Sequence, residues 1–260
     1  MLNKFFENKK RLVIIAGAIV IIAIAIAVIC SLCLNPKDPN PEPSIPEGTV
    51  PEGTVPGDVS PEEAYKLKLD EFLQVIADPE DADALYDGLQ SVRDAALEFG
   101  DEALDKIGFV LDDVNKDGKE ELFVGCFDNE DPSDVNNEIY AAFTYDGDNL
   151  TPLFEKQKQN TFALTDAGTV YFYGTDGAQY YILAEYALDE NGKLICKDFY
   201  FTYPKDGNGI GYYHNTTGVW DPEGSEEIQM TPEEFEEMRK ELAGKTVPLE
   251  DVKFSEVGKQ

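Results

Sequence analysis

Hydrophobic residues follow three different patterns along this chain of 260 residues. Residues 12–34 form one uninterrupted apolar run, residues 60–107 repeat apolar positions at a helical spacing, and residues 108–215 form short apolar runs between turn dipeptides. A repeat every three to four residues indicates a helix that buries one face, whereas short runs rich in β-branched and aromatic residues indicate strands. We therefore expect one membrane-length helix, then a group of helices, then a group of strands.

The folded part of the chain is predicted to begin with a helix at Ser60. Ser60 is a good N-cap residue, Pro61 suits the first helical position, and Glu63 completes the sequence of a capping box. A second helix is predicted to end near Gly100, and a short third one to cover residues 101–106. The apolar positions that define the first two helices are Leu69, Phe72, Leu73 and Ile76, and then Leu85, Leu89, Val92 and Ala96.

Strands are predicted from residue 108 onward, because Asp-Gly and Asn-Gly dipeptides typical of hairpin turns divide the chain there. The predicted strands are Phe109–Leu111, Glu121–Phe127, Ile139–Tyr145, Leu150–Glu155, Val170–Tyr173, Tyr180–Leu188, Leu194–Tyr203 and Gly211–His214. A last helix is predicted between the N-cap Thr231 and Gly244. The expected fold class is α+β: N-terminal helices, an antiparallel β-meander sheet and a C-terminal helix, with the helices on one face of the sheet.

The apolar run over residues 12–34 predicts a transmembrane anchor, because about 20 such residues cross the core of a bilayer. Positive residues stay in the cytoplasm, so the N-terminus is predicted inside and the rest outside. The basic residues that precede the run are Lys4, Lys9, Lys10 and Arg11. A cleaved signal peptide, a lipoprotein signal and a buried core helix are the alternatives. An uncleaved anchor fits better, because the A-x-A patterns lie inside the apolar core and Cys30 and Cys33 lack a suitable preceding residue.

Seven prolines and a tandem PEGTV repeat follow the anchor and exclude a helix in that stretch. The sequence therefore predicts four regions. They are a cytoplasmic N-terminus over residues 1–11, a transmembrane anchor over 12–34, a Pro-rich linker over 35–59 and an extracytoplasmic α+β domain over 60–260.

The chain is strongly acidic, with 21 Lys and Arg against 52 Asp and Glu. Four basic residues and one acidic residue precede residue 35, so the remainder has 17 basic and 51 acidic residues and a net charge of −34. Such a surface repels nucleic acid and anionic lipid and attracts cations. We expect no nucleic-acid partner.

Four cysteines are too few for a disulfide scaffold. Cys126 and Cys196 lie on predicted strands outside the membrane, where we expect buried free thiols, with a disulfide as the alternative. Cys30 and Cys33 lie at the outer end of the apolar run, and their acylation stays an open question.

Oxygen-bearing side chains are regularly spaced along Asp112–Leu122. Counted from Asp113, they occupy positions 1, 3, 5 and 9, with Gly118 at position 6 for a sharp turn. Ca²⁺ prefers such a set of oxygen ligands on a tight loop. The predicted ligands are the side chains of Asp113, Asn115, Asp117 and Glu121 and the main-chain carbonyl of Lys119. Position 12 is Val124 instead of the bidentate glutamate of an EF-hand, and the flanking runs predict strands. A solvated acidic hairpin is the alternative.

The pattern Asp113-x-Asn115-x-Asp117-Gly118-x-x-Glu121-Leu122 resembles the single calcium loop of FG-GAP and VCBS-type repeats. It is also similar to a loop of anchored or lipoprotein-like surface proteins of Firmicute bacteria. The resemblance implies Ca²⁺ held by the acidic and asparagine side chains and one carbonyl, with Glu121 where the family usually has Asp. It covers about a dozen residues, and the loop occurs once, so a propeller of repeated units is not implied.

Other candidate chemistry is sparse. His214 is the only histidine, no serine lies in a G-x-S-x-G motif, and no His/Cys cluster has zinc spacing. We expect His214 to be a strand-end residue and not a general base. A band of aromatic residues could pack under helices or form a carbohydrate- or peptide-binding platform; it comprises Tyr171, Phe172, Tyr173, Tyr180, Tyr181, Tyr186, Phe199, Tyr200, Phe201 and Tyr203.

These observations lead us to expect a membrane-anchored, extracytoplasmic, calcium-binding surface module of the interaction or ligand-binding type, and not an enzyme. An extracellular protein or a glycan is the expected class of ligand. A carboxylate-based hydrolase is one alternative, for which the sequence offers no motif. The other is a sensor or regulatory ectodomain, which would need a membrane partner because residues 1–11 are too few for an output domain.

Overall fold

A computed structural model describes residues 60–80, 88–127, 135–147, 149–157, 159–175, 179–205 and 209–257. The helices of these residues are α1 (Pro61–Ala77), α2 (Leu89–Phe99), α3 (Ala103–Lys106) and α4 (Pro232–Ala243), with 3₁₀ turns at Gly100–Glu102 and Phe254–Glu256. The strands are β1 (Gly108–Asp112), β2 (Glu121–Cys126), β3 (Glu138–Tyr145), β4 (Leu150–Glu155), β5 (Asn160–Leu164), β6 (Val170–Thr175), β7 (Tyr181–Leu188), β8 (Leu194–Lys205), β9 (Gly209–Asn215), β10 (Glu226–Ile228) and β11 (Val252–Lys253). The α+β fold class is confirmed.

The predicted helix starts are found where local chemistry specifies them. The Ser60 side chain accepts the Glu63 N–H at the start of α1. At α4, the Thr231 side chain accepts the Glu234 N–H, and the Glu234 carboxylate accepts the Thr231 N–H, which completes a capping box. The predicted third helix is a 3₁₀ turn followed by the single α-helical turn α3. The predicted start of the second helix, around Leu85, lies outside the described residues.

The strands form two antiparallel sheets, so the prediction of one sheet was wrong. Sheet 1 has the order β11-β1-β2-β3-β4, and sheet 2 has the order β10-β9-β8-β7-β6-β5. Strands β1 to β4 and strands β5 to β10 are each neighbours in chain order, as a meander requires, whereas β11 pairs with β1 at the far edge of sheet 1. The meander is interrupted after β4, because β5 pairs with β6 instead of extending sheet 1. The strands β5, β10 and β11 were not predicted from the sequence.

Three apolar clusters show how the elements are layered. Helices α1, α2 and α3 pack on one face of sheet 1, where Phe72, Ile107 and Phe143 are buried. The other face of sheet 1 packs against sheet 2 through Phe123, Phe154, Phe162 and Phe201, among others. Helix α4 covers the outer face of sheet 2. Helices therefore lie on the outer face of each sheet, and not on one face of a single sheet as expected.

This layering accounts for the aromatic band. Phe172, Tyr186, Phe199 and Phe201 lie between the sheets, whereas Tyr171 belongs to the cluster under α4. Successive residues of a strand point to opposite faces, and both faces of sheet 2 are covered by another layer. The aromatic residues of this band therefore pack largely in the two cores on either side of sheet 2.

The predicted membrane anchor cannot be compared with these helices. In the described part of the chain, no helix is both long and apolar enough to span a bilayer. The anchor over residues 12–34, the N-terminus over 1–11 and the linker over 35–59 lie outside the described residues.

Candidate metal centre

The oxygen-rich segment forms the loop that joins β1 to β2. Asp112 at the end of β1 pairs directly with Glu121 at the start of β2, and residues 113–120 form the connection. The loop therefore lies between two antiparallel strands, as predicted. This pairing places four of the predicted ligand residues on one short loop and the fifth, Glu121, on the strand at its base.

The loop is closed by its own side-chain oxygens. The Asp113 carboxylate accepts the N–H groups of Asp117 (3.0 Å) and Gly118 (2.9 Å). The Asn115 side-chain oxygen also accepts the Asp117 N–H (3.1 Å), and the Asp117 carboxylate accepts the Lys119 N–H (2.8 Å). Such short-range acceptors stabilise tight turns and bring the oxygens to the inside of the loop.

Two residues of the loop adopt the left-handed backbone conformation. Gly118 has a φ of 89° and Lys116 a φ of 61°, and Lys116 is the one described non-glycine residue with positive φ. The glycine takes this conformation at little cost, which explains the Asp-Gly dipeptide, whereas lysine there is strained. The loop holds this strain beside the oxygens of Asp113 and Asn115.

Glu121 is the most unusual residue of the set, because its side chain is fully buried with 0% exposure. It lies on the same face of β2 as Phe123, which is the face toward sheet 2. One carboxylate oxygen accepts the Val114 N–H at 3.3 Å and the other accepts the Thr144 hydroxyl at 3.4 Å. Both are long hydrogen bonds. They offset only part of the free energy that is lost when a charged carboxylate is removed from water.

The electrostatic environment of Glu121 disfavours its negative charge. Burial, together with the negative charges of Asp117 and Asp113, raises the pKa of the Glu121 carboxyl to about 7. Among the described residues, no lysine, arginine or histidine forms an ion pair with it. At this pKa the Glu121 carboxyl is partly protonated near neutral pH, and a nearby cation would favour its charged form.

Tyr65 and Thr144 belong to the surroundings of the site, and the sequence reasoning missed both. The Tyr65 hydroxyl, from α1, donates to the Glu120 carbonyl, and burial together with the Glu121 carboxylate raises the pKa of Tyr65 above its usual range. Tyr65 lies on the buried face of an amphipathic helix, and Thr144 lies in a buried strand. Neither position carries a sequence signal that distinguishes it from ordinary core.

The donor set suits a hard cation, because every predicted ligand atom is an oxygen and three of the side chains are acidic. The oxygens are nevertheless not gathered around one point. Among the described residues, no group of three or more His, Cys, Asp or Glu side chains is arranged to hold a metal ion. The structure thus brings Asp113, Asn115, Asp117 and Glu121 onto one loop and its base, and coordination by them and by the Lys119 carbonyl stays a prediction.

His214 lies near the end of β9, at the predicted strand-end position. Its Nε2 atom is 3.0 Å from an Asp198 carboxylate oxygen, and its ring stacks on Tyr200 with centroids 4.5 Å apart. No serine or cysteine of the described part of the chain hydrogen-bonds to it. An aspartate and a histidine without a nucleophile do not make a triad.

Within the described residues, Cys126 and Cys196 form no disulfide, and both are half-buried, whereas we expected buried thiols. Cys126 lies in sheet 1 and Cys196 in sheet 2, and burial raises the pKa of the Cys196 thiol to about 11. A thiol with so high a pKa is a poor nucleophile at neutral pH. Cys30 and Cys33 lie outside the described residues.

Comparison with known protein families, with curated protein sequences and with solved structures finds no match to this chain.

Proposed function

We propose that this chain is a membrane-anchored, extracytoplasmic surface module that binds one Ca²⁺ ion in its β1–β2 loop. Its two-sheet domain would then present a surface to an extracellular protein or glycan. The apolar run over residues 12–34 and the basic residues before it support the anchor and its orientation.

The observation that carries the calcium proposal is the burial of Glu121 beside two other acidic residues. A carboxylate with 0% exposure and no basic partner among the described residues costs several kcal/mol if it is charged and uncompensated. A divalent cation held by Asp113, Asp117 and Glu121 would offset two of the three negative charges at once. The Asn115 oxygen and the Lys119 carbonyl would complete the set with neutral ligands.

The experiment that tests calcium binding is a calorimetric titration of the full chain with Ca²⁺ and, separately, with Mg²⁺. We expect one Ca²⁺ per chain with a dissociation constant of about 10⁻⁴ to 10⁻³ M, and weaker binding of Mg²⁺, which demands a smaller octahedral site. Asp113→Ala should abolish the Ca²⁺ heat.

The matched control is Asp146→Ala in the β3–β4 turn. The Asp146 carboxylate also accepts a turn N–H, that of Asn149 at 2.9 Å, but no buried acid lies beneath that turn among the described residues. This variant should bind Ca²⁺ like the wild type. Equal binding of Ca²⁺ and Mg²⁺, unchanged in Asp113→Ala, would show only nonspecific attraction to the acidic surface.

The topology can be tested on intact cells. External protease should cleave within the linker over residues 35–59 and release a soluble fragment that contains the α+β domain. Survival of the full-length chain, under conditions that digest a known surface protein, would contradict an extracytoplasmic domain.

A further inference from the structure

The β1–β2 loop contacts sheet 2 as well as its own sheet. The Asn115 side-chain nitrogen donates to the Asp189 main-chain carbonyl at 2.8 Å, in the turn that joins β7 to β8. The same carbonyl accepts the Gly192 N–H at 3.0 Å and so closes that turn. Val114, the neighbour of Asn115, packs against the cluster between the sheets. One amide side chain thus connects the candidate metal loop to the opposite sheet.

Two glycines, in the β5–β6 and β7–β8 turns, permit the close approach of sheet 2 to this part of sheet 1. A Cβ atom at Gly168 would lie 2.8 Å from the Val114 carbonyl oxygen, and one at Gly192 would lie 2.6 Å from the Thr144 hydroxyl. Both distances are shorter than real side chains allow, and both glycines have a φ of 72°. The Thr144 hydroxyl is the one that donates to Glu121. Sheet 2 therefore touches the candidate site from two turns, next to its buried carboxylate.

We infer that the β1–β2 loop is a calcium-dependent clasp between the two sheets, with Asn115 as its connecting residue. The inference rests on the proposed calcium site. Asn115 directs its oxygen into the loop, where it accepts the Asp117 N–H, and its nitrogen toward Asp189. A cation that binds the oxygen fixes the rotamer of this side chain and so holds the nitrogen on the Asp189 carbonyl. Calcium binding on sheet 1 thereby suppresses opening of the Asp189–Lys193 turn on sheet 2.

Hydrogen exchange of backbone amides in the full chain measures the protection of the β1–β2 loop and of the Asp189–Lys193 turn separately. The N–H groups of Asp117, Gly118 and Lys119 bond to loop oxygens and report on the metal site. The N–H groups of Asn191, Gly192 and Lys193 bond to Asp189 and report on the turn. In the wild type, we expect Ca²⁺ to slow exchange of both groups, the turn by about tenfold, which corresponds to one hydrogen bond.

Asn115→Asp is the decisive variant, because it keeps a ligand oxygen and removes the N–H donor. Ca²⁺ should still protect the loop amides but no longer the turn amides. Asn149→Asp introduces the same charge in the β3–β4 turn and should behave like the wild type. Gly192→Ala tests the contact from the side of sheet 2. In this variant too, Ca²⁺ should protect the loop amides but no longer the turn amides. Gly147→Ala, where φ is 109° and no atom lies within 4 Å of the added Cβ, controls for backbone strain alone.

The outcomes separate this inference from the proposed function. Protection of the loop without protection of the turn in the wild type would overturn the clasp and leave the calcium site intact. Turn protection that persists in Asn115→Asp would overturn the role of Asn115. If Ca²⁺ protects neither group and calorimetry shows no binding, both the clasp and the calcium site are wrong.

Discussion

Asp189 and Glu121 lie in neighbouring regions of the molecule and carry the same functional group, yet their environments are opposite. The Asp189 carboxylate lies in the β7–β8 turn and accepts the N–H groups of Lys193 (2.9 Å) and Asn191 (2.8 Å). These hydrogen bonds hold the pKa of Asp189 below its usual value. Glu121 is fully buried, its two hydrogen bonds are longer, and burial raises its pKa to about 7.

The difference shows that the charge of an acidic residue near a turn depends on hydrogen-bond donors and on access to water. The turn around Asp189 supplies its own compensation, because backbone N–H groups stabilise the charge and water solvates the rest. At the base of the β1–β2 loop, burial outweighs the two long hydrogen bonds to Glu121, so the charged form of Glu121 is disfavoured. Two acidic turns that look alike in sequence can therefore differ in how well the fold stabilises their negative charge.

The largest expected effect is the pH dependence of the free energy of unfolding in the absence of metal. In excess chelator, the pKa of Glu121 is about 7 in the folded chain against an ordinary value of 4.5. The folded state thus binds the proton more tightly, and stability should fall by about 2.5 kcal/mol as pH rises from about 5 to 8. Urea unfolding at several pH values measures this loss.

Glu121→Gln is the control for the pH experiment, because it removes the titrating group and leaves all others in place. The part of the loss that is due to Glu121 should disappear in this variant. An unchanged pH profile in Glu121→Gln would mean that Glu121 is not the residue that titrates.

The next effect is the calcium increment in melting temperature. With a dissociation constant near 10⁻⁴ M, about 2 mM Ca²⁺ adds about 1.8 kcal/mol, or a rise of about 4 to 7 °C for a domain of this size. Mg²⁺ should add much less, since mere screening of the acidic surface would not distinguish the two ions.

Asp117→Ala should lose the calcium increment in a differential scanning measurement. Asp221→Ala is the comparison variant, because the Asp221 carboxylate accepts the Glu223 N–H at 3.0 Å in the connection between β9 and β10. It should retain the full increment. An equal response of both variants would remove the basis for treating the β1–β2 loop differently from other acidic turns.

The smallest effect is expected at Asp189 itself. Asp189→Asn keeps an acceptor oxygen but removes the charge, so stability should fall only slightly, as for most polar substitutions outside the core. The loss should be the same with and without Ca²⁺, as chemical denaturation can show. A loss as large as the pH-dependent loss assigned to Glu121 would mean that this turn depends on its charge as strongly as the β1–β2 loop does.

Local features of the fold were predictable from sequence because their causes are local. The caps at Ser60 and Thr231, the hairpin turns and the strand-flanked loop all follow from residues within a few positions of one another. The division into two sheets was not predictable in this way. It depends on contacts such as the Asn137 side chain, which bonds to Leu164 at the end of β5 and to Val247 in the C-terminal segment.

The candidate site shows the same limit. The spacing of Asp113, Asn115, Asp117 and Glu121 indicated a cation loop, and the chain does bring them together on one hairpin. The burial of Glu121 depends on sheet 2 and on Thr144 in the next strand, which no local pattern reveals. The contact of Asn115 with Asp189 joins residues far apart in sequence and was likewise not predicted.

The most direct test of the account is a cycle of four melting temperatures at pH 8: wild type and Glu121→Gln, each with chelator and with Ca²⁺. If the buried charge of Glu121 is compensated by calcium, the variant melts above the wild type in chelator, by about 2 kcal/mol of stability, because it removes an uncompensated buried charge. Calcium should then raise the wild type and leave the variant almost unchanged. A variant that melts below the wild type in chelator, and still gains the full increment from Ca²⁺, would contradict the account.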